Sequence, residues 1–315
     1  MGTTTPQDDQ FHALLKEYSY PLSLEGENTA SRTLRLVGKN KRVLELGCSV
    51  GTQSKVLRHD LNCDVTGIEI NPSAAEQARR YCSRVIVGNL DELDFRPLFP
   101  QEKFDVVLCA DVLEHLYNPT SLLSRVKPLI DTNGYLIASI PNIVHIAILL
   151  EMLHGKFDYK NNGILDNSHI RFFTRKTIIT SFTEAEFTIA LLERSYAREN
   201  ETEFDLRNTI NNASRIIEYI RTNNEECFTY HFIVKATPSQ SSREELSILN
   251  AHMENSSLIA LATDKERELA KLERRINELQ SNLTWLENKT PVRIARWIMS
   301  LIHNKSRNLT STKAT

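Results

Sequence analysis

The sequence predicts an α/β protein built on a doubly wound, mostly parallel sheet of seven strands and followed by a C-terminal coiled-coil helix. The first observation is that short β-rich segments alternate with segments whose apolar residues recur at helical spacing. Strands that alternate with helices pair in parallel, in a sheet covered on both faces. The second observation is a late segment in which apolar residues recur at alternating spacings of four and three over four heptads.

The predicted strands are short and apolar, as is typical of strands buried on both faces. They cover residues 42–46, 65–70, 85–87, 104–109, 135–140, 188–192 and 230–236. Apolar residues at helical spacing predict helices over 52–61, 73–82, 119–129, 143–153 and 213–221.

Changes in composition divide the chain into parts. These are a helical lead-in at 1–40, the α/β domain at 41–237 with a substrate-side insert at 142–175, a polar linker at 238–245, a coiled coil at 246–290, and a basic amphipathic helix with a disordered tail at 291–315. The apolar seam from Leu258 to Leu286 predicts self-association, as a dimer or a trimer, or pairing with another protein.

The C-terminal residues 289–315 contain six basic side chains and no acidic one. Ile294, Trp297 and Leu301 would share one face of a helix there. A basic amphipathic helix that carries Trp can lie on an anionic membrane surface. We therefore expect residues 291–305 to make a peripheral membrane contact or to dock on protein.

Composition and charge exclude several classes of function. The net charge of −2, from 38 basic and 40 acidic side chains, gives no overall basic field for nucleic acid. The longest apolar stretch, 143–150, is far shorter than the ~20 residues of a membrane span, and the polar N-terminus does not match a signal peptide. The five cysteines are scattered without a Cys-x-x-Cys pair, so no disulfide framework is expected. These features predict a cytoplasmic protein that does not bind nucleic acid.

The strongest local signal is the stretch VLELGCSVGT at 43–52, in which a strand runs through a turn with Gly47 and Gly51 into a helix. Glycine permits a tight turn and the close approach of a ligand to the main chain, and the helix N-terminus offers unpaired N–H groups. Glu69 ends the second predicted strand. A carboxylate at that strand end can accept both ribose hydroxyls of an adenosine ligand and disfavours a 2′-phosphate.

The segments ELGCSVG, VGNLDEL and FDVVLCADVLEHL, together with the Glu69 strand end, resemble the class I S-adenosylmethionine-dependent methyltransferases in order and spacing. The resemblance covers residues 25–237 and implies a Rossmann-like sheet. An NAD-binding domain would be expected to show Gly-x-Gly-x-x-Gly, whereas this turn reads Gly47-x-x-x-Gly51.

The resemblance implies S-adenosylmethionine as cofactor and assigns its site residue by residue. The implied site consists of Glu45, Gly47, Cys48, Ser49, Gly51, Glu69, Ile70, Asn89, Leu90 and Asp111. Asn89 stands where the family often has an Asp that reaches the adenine amine, and Asp111 would line the methionine end. No metal site is expected, because Asp111, Glu114 and His115 show no dedicated ligand spacing.

A second resemblance concerns residues 140–174, which contain IPNI, GKFDY, GILD and HIRFFT. They look like a methyltransferase branch associated with bacterial surface-polysaccharide biosynthesis, such as O-antigen or capsule. This implies an O-methyltransferase acting on a sugar hydroxyl of a glycan or of its nucleotide-sugar precursor, assembled with itself or with a glycosyltransferase at the inner membrane. The alternatives are a small-molecule O-methyltransferase of the quinone or phenol type and a non-catalytic scaffold assembled through the coiled coil.

Methyl transfer to a hydroxyl requires a group that removes the proton of the acceptor. His169, in the insert expected to cap the pocket, is the first candidate base, followed by His145 and His115. Asp166 lies three residues before His169 and could orient it.

Overall fold

A computed structural model of the chain describes residues 22–197, 202–204 and 214–239, together with positions 246, 274–276, 278, 280 and 296. The chain divides into two units, residues 1–253 and residues 254–315. The sheet and the candidate site belong to the first unit. Within the second, positions 274–276, 278, 280 and 296 are helical.

The first unit contains the predicted seven-stranded, mostly parallel sheet. Its strands are β1 (Arg42–Leu46), β2 (Asp64–Glu69), β3 (Arg84–Val87), β4 (Phe104–Ala110), β5 (Ile130–Pro141), β6 (Phe187–Tyr196) and β7 (Thr229–Pro238). Their order is β3-β2-β1-β4-β5-β7-β6. Neighbouring strands from β3 to β5 pair in parallel, whereas β7 is antiparallel to both β5 and β6. The fold is therefore Rossmann-like, as expected.

Helices flank the sheet on both faces. They are α1 (Thr29–Val37), α2 (Thr52–His59), α3 (Pro72–Ala78), α4 (Pro119–Val126), α5 (Ile146–Leu153), α6 (Arg175–Glu184) and α7 (Ser214–Asn223). Helix α6 is absent from the sequence predictions because its three threonines are β-branched and lower the apparent helix propensity. A capping box starts it: Thr174 and Thr177 satisfy each other's main-chain N–H groups.

Two apolar clusters, one on each face, hold α1 to α4 and α6 to the sheet. Adjacent residues of β1 point to opposite faces, so Val43 belongs to one cluster and Leu44 to the other. Leu57 of α2 packs with Val43, and Leu122 of α4 packs with Leu44. Each such fully buried side chain contributes about 1.5–3 kcal/mol relative to an exposed one. The doubly wound arrangement follows from this two-sided burial.

The order of the strands reverses between β1 and β4, because the chain proceeds from β1 outward to β3 and then returns to β4. At such a switch point the connections leave β1 and β4 in opposite directions, which opens a crevice at the carboxyl ends of these strands. Because β7 is antiparallel, its first residues also lie at this edge. The fold thus brings the ends of β1, β2 and β4 and the start of β7 to one place.

The insert after β5 is fixed by buried polar contacts. The Asn142 side chain donates hydrogen bonds to the main-chain carbonyls of Glu226 (2.9 Å) and Thr229 (2.8 Å). Glu226 in turn holds Arg194 of β6 through two hydrogen bonds of 2.7 and 2.8 Å. A bidentate Arg–carboxylate pair of this kind is directional and leaves neither charge uncompensated. The exit of β5 is therefore held against the segment that leads into β7.

The predicted linker (238–245), coiled coil (246–290) and basic tail (291–315) lie outside the described residues, except for residues 238–239 and the helical positions given above. Residues 1–21 of the predicted lead-in also lie outside them, whereas its residues Thr29–Val37 form helix α1. No helix in the described part of the chain has the length and apolar content needed to cross a bilayer.

Candidate active site

The glycine turn after β1 has a backbone that favours glycine. The φ angles are 69° at Gly47, 47° at Ser49 and 85° at Gly51, all in the left-handed region. A Cβ atom at position 51 would lie 2.9 Å from the Tyr81 ring and 3.0 Å from the Cα of Ala78. Ser49 adopts the strained conformation without being glycine, at a typical cost of about 1–2 kcal/mol. The surrounding structure must hold this turn in place.

The Glu69 carboxylate holds the turn. One oxygen accepts the main-chain N–H of Ser49 (2.8 Å) and the other that of Asn71 (2.8 Å). Glu69 is the last residue of β2, as predicted, and only 8% of its surface is exposed. A carboxylate oxygen can accept more than one hydrogen bond, so Glu69 can bind the main chain and ribose hydroxyls together.

The predicted adenosine side of the site is apolar and open. Ile70 is 63% exposed directly after Glu69, where it can cover the face of an adenine ring. The Asn89 Oδ1 atom accepts the main-chain N–H of Asp91 (3.0 Å), which fixes the orientation of this side chain. The Leu90 side chain is buried in the core, and the Cys48 sulfur packs against Gly67 beside Cys82. A contact of Leu90 or Cys48 with a cofactor would therefore come from the main chain.

Glu45 lies buried behind the turn. Its carboxylate accepts a 2.5 Å hydrogen bond from the Ser54 hydroxyl at the start of α2. Burial raises the pKa of Glu45 to about 8, and the Ser54 hydrogen bond opposes this shift only in part. Glu45 is consequently protonated at neutral pH and holds the first turn of α2 through Ser54.

Asp111 follows β4 at the same edge, with a φ of 53°. Its main-chain N–H donates to the Ser139 carbonyl, and the Ser139 hydroxyl donates to Asp111 Oδ1 at 2.8 Å. The Nε2 atom of His231 lies 3.5 Å from the same carboxylate oxygen. Burial lowers the pKa of His231, and the Asp111 charge opposes the shift. The backbone of Asp111 is thus strained, and its carboxylate, which is 43% exposed, lies beside the neutral imidazole of His231 in the crevice.

His231 is absent from the sequence-based candidates because it lies within the predicted apolar strand 230–236, where a lone histidine is unremarkable. The signal that could have found it is topological. If the last strand runs antiparallel, its first residues face the carboxyl edge of the parallel strands.

Two of the three histidines proposed as bases meet at the turn after β4. The rings of His115 and His169 contact edge to face, with centroids 4.7 Å apart. The Nδ1 atom of His169 lies 2.9 Å from the Ile164 carbonyl, and that of His115 lies 3.3 Å from the Ser168 carbonyl. Burial, and next the neighbouring His169, lower the pKa of His115. Asp166 accepts the N–H and hydroxyl of Ser168 and not a ring nitrogen of His169, so it orients the loop.

His145 stands apart from this pair. It is fully buried as the N-cap of α5, where Nδ1 accepts the Ala147 N–H and Nε2 lies 2.9 Å from the Ala197 carbonyl. Both ring nitrogens therefore serve the main chain. His145 therefore has a structural role, and this geometry does not support the prediction that it acts as a base.

Glu114 is the unexpected member of the site. Its side chain is 0% exposed, and among the described residues neither carboxylate oxygen has a hydrogen-bond partner. Burial, and next the Asp111 charge, raise the pKa of Glu114 well above its usual value. The His169 Nε2 atom lies 3.9 Å from Glu114 Oε1.

The residues at this edge fit S-adenosylmethionine. Gly47 suits this turn, since its φ is positive and a Cβ there would lie only 3.0 Å from the Val112 side chain. Glu69 offers a ribose acceptor and Ile70 an adenine face, while Asp111 stands at the other end of the crevice. A separate cavity of about 570 Å³ lies beside α2 between Val50, His59 and Tyr81. None of the predicted cofactor residues lines that cavity, so it does not belong to this site.

We expect Gly51→Ala to disrupt the turn, because it combines backbone strain with a steric clash. Gly155→Ala is the matched control: φ is 72°, but a Cβ there meets nothing within 4 Å. In urea unfolding, the control should lose about 1–2 kcal/mol and Gly51→Ala about 2–4 kcal/mol. The affinity for S-adenosylhomocysteine should be at least ten times weaker in Gly51→Ala than in the wild type. In the control it should be the same as in the wild type. Equal effects of the two substitutions would contradict this account.

Glu45 should make the stability of the ligand-free protein fall as pH rises. Between pH 5 and 8 the folded protein retains a proton that the unfolded chain has released, so unfolding becomes easier across this window. In the wild type, the free energy of unfolding should fall by an amount on the order of 3–5 kcal/mol between pH 5 and pH 8 because of Glu45. Glu45→Gln should remove this fall, measured by unfolding at pH 5, 6.5 and 8. The exposed control Glu76→Gln should follow the wild type. A difference between Glu45→Gln and wild type that is constant with pH would refute the buried, protonated state.

A family model described as a methyltransferase domain matches residues 24–192, more than half of the chain. The ubiquinone biosynthesis O-methyltransferase of Glaesserella parasuis is 31% identical over 128 residues, which cover 38% of this chain and 53% of that protein. The mitochondrial ubiquinone biosynthesis O-methyltransferase of Schizosaccharomyces pombe is 34% identical over 118 residues, covering 35% and 41%.

The chain thus spans about half the length of the curated relatives it matches. Among solved structures, a SAM-dependent methyltransferase from Archaeoglobus fulgidus aligns with a TM-score of 0.48 and 19% identity, over 66% of this chain and 91% of that one. The match of the family model covers β1 to β5 and the turns that build the crevice. The chain therefore belongs to the methyltransferase-domain family and carries an S-adenosylmethionine-dependent methyltransferase domain.

Proposed function

We propose that this chain transfers the methyl group of S-adenosylmethionine to a hydroxyl oxygen of a small acceptor of the phenol or quinol type. The observation that carries the proposal is the strained Asp111, which lies beside His231 at the crevice edge. The curated relatives support the acceptor class, since they are O-methyltransferases of ubiquinone biosynthesis. The sequence alone allows this acceptor class as the alternative to a glycan sugar.

The chemistry of methyl transfer determines what the cofactor supplies and what the protein must do. The cofactor supplies an electrophilic methyl group and its own leaving group. The chain must hold the acceptor oxygen in line with that methyl group and take up the hydroxyl proton. Binding in the crevice between β1 and β4 accounts for the first requirement.

Asp111 is the proton acceptor in this proposal. Its carboxylate is partly exposed, and Ser139 and His231 hold it from the protein side. The imidazole of His231, 3.5 Å from the same carboxylate, would orient it, which makes His231 a positioning residue. The left-handed backbone at Asp111 turns the chain at the end of β4, and strain of this kind concentrates at functional sites.

The rim beside Asp111 supports an apolar acceptor. Arg171 donates two hydrogen bonds to the Tyr117 carbonyl, which holds the end of the insert against the turn after β4. Tyr117 and Ile170 expose 73% and 40% of their surface there. Exposed apolar side chains beside a crevice are typical of sites for ligands with apolar surface.

The polysaccharide hypothesis is the rival for the acceptor. The resemblance of residues 140–174 is its support, and the curated relatives favour the small-molecule class over it. Association of residues 246–290 with a second copy or with a glycosyltransferase remains a separate proposal, supported by the heptad spacing alone.

Release of S-adenosylhomocysteine should be measured with two panels of acceptors, one of catechols and quinols and one of nucleotide-linked sugars. We expect turnover with the first panel. Asp111→Asn should lower kcat about 10²-fold or more, because a positioned base contributes that much, while S-adenosylhomocysteine affinity stays within threefold. His231→Asn should lower kcat less.

The exposed carboxylate Asp94 provides the matched control, and Asp94→Asn should retain wild-type kcat. Turnover confined to the sugar panel would replace the proposed acceptor class with the polysaccharide one. Full kcat in Asp111→Asn would remove the proposed proton acceptor.

A further inference from the structure

We propose that Glu114, His115 and His169 form a binding site for one divalent transition-metal cation such as Zn²⁺. This goes beyond methyl transfer and replaces the expectation, drawn from the sequence, that the chain has no metal site. The three side chains each offer one ligand atom, and these atoms lie within 4.8 Å of one another.

The hydrogen bonds of the two imidazoles orient the rings so that each can bind a cation through Nε2. Each ring has Nδ1 directed at a main-chain carbonyl, Ile164 for His169 and Ser168 for His115. A carbonyl can only accept, so each Nδ1 carries the proton and each Nε2 presents a lone pair. Metal-binding histidines are oriented in the same way, by donating the other ring N–H to a carbonyl or a carboxylate.

Glu114 provides the independent observation. Its carboxylate is completely buried, and among the described residues neither oxygen has a hydrogen-bond partner. Buried carboxylates are normally paired, hydrogen-bonded or bound to a metal. The nearest cationic candidate is His169 Nε2, 3.9 Å away, and that nitrogen carries a lone pair in the tautomer above. A cation between them would satisfy both.

The ligands come from two segments that the main chain holds together. The N–H groups of Ile170 and Arg171 both donate to the Glu114 carbonyl at 2.9 Å. This clamp brings residue 169 beside residues 114 and 115, which lie at the end of β4 next to Asp111. These main-chain hydrogen bonds keep the three ligand side chains close together without a bound ion.

The ligand set selects the kind of cation. Mg²⁺ and Ca²⁺ prefer oxygen ligands, whereas two imidazoles and one carboxylate suit Zn²⁺ and its neighbours. Bonds of about 2.0–2.1 Å in a tetrahedral site place ligand atoms about 3.3 Å apart, so the most distant ligand atoms must approach each other by up to about 1.5 Å. Three protein ligands leave a fourth position for water or an acceptor oxygen.

The test is equilibrium titration of the metal-stripped wild-type protein with Zn²⁺ against a chromophoric chelator, without cofactor or acceptor. We expect one site per chain. Glu114→Gln and His169→Asn should each weaken Zn²⁺ binding about 10²-fold or more, and Mg²⁺ should not compete at equal concentration. Since no methyl transfer is measured, failure of the proposed function would not change this result.

His154→Asn is the matched control. His154 also directs Nδ1 at a main-chain carbonyl, that of Leu150 at 2.8 Å, but it is not part of the Glu114 cluster. This variant should bind Zn²⁺ as the wild type does. If Glu114→Gln does not fold, the partly exposed His115→Asn takes its place, with circular dichroism as the check of folding. Absence of a stoichiometric site in the wild type, or wild-type affinity in the ligand variants, would overturn the proposal.

Discussion

Two main-chain N–H groups, those of Ser49 and Asn71, converge on the Glu69 carboxylate, and the candidate site depends on this contact. It joins the glycine turn after β1 to the end of β2, so the two strands present their ends as one unit. It also offsets the strain at Ser49, whose left-handed backbone would otherwise relax. The same carboxylate then has acceptor capacity left for ribose hydroxyls. One side chain therefore builds the pocket and, in our proposal, also binds the cofactor.

On the opposite wall of the crevice, hydrogen bonds likewise hold a residue with a left-handed backbone. Asp111 has a left-handed backbone at the end of β4, and Ser139 of the neighbouring strand holds it through main chain and side chain. The reversal of strand order between β1 and β4 separates these two walls and leaves room for a ligand. Glu114 and His115 follow within one turn. The proposed metal site and the proposed proton acceptor thus share one short segment, and the cation would stand beside the acceptor oxygen.

Local patterns in the sequence predicted the seven strands, the glycine turn and the position of Glu69, because these features depend on residues close together in the chain. Contacts between distant segments were not predictable in this way. His169 approaches Glu114 only because main-chain hydrogen bonds bring residues 170 and 171 to the turn after β4. The sequence presents His145 as a histidine near a pocket, but packing uses both of its ring nitrogens. His231 reaches the crevice because β7 runs antiparallel, which no local pattern shows.

We infer that the crevice held by Glu69 binds S-adenosylmethionine. Calorimetric titration of the wild-type protein, Glu69→Ala and the exposed control Glu76→Gln with S-adenosylhomocysteine measures this binding. We expect a dissociation constant on the order of micromolar for wild type and control. Glu69→Ala should bind at least ten times more weakly, a loss of about 1.4 kcal/mol or more. Equal affinity of Glu69→Ala and wild type, or no binding by folded wild type, would contradict this inference.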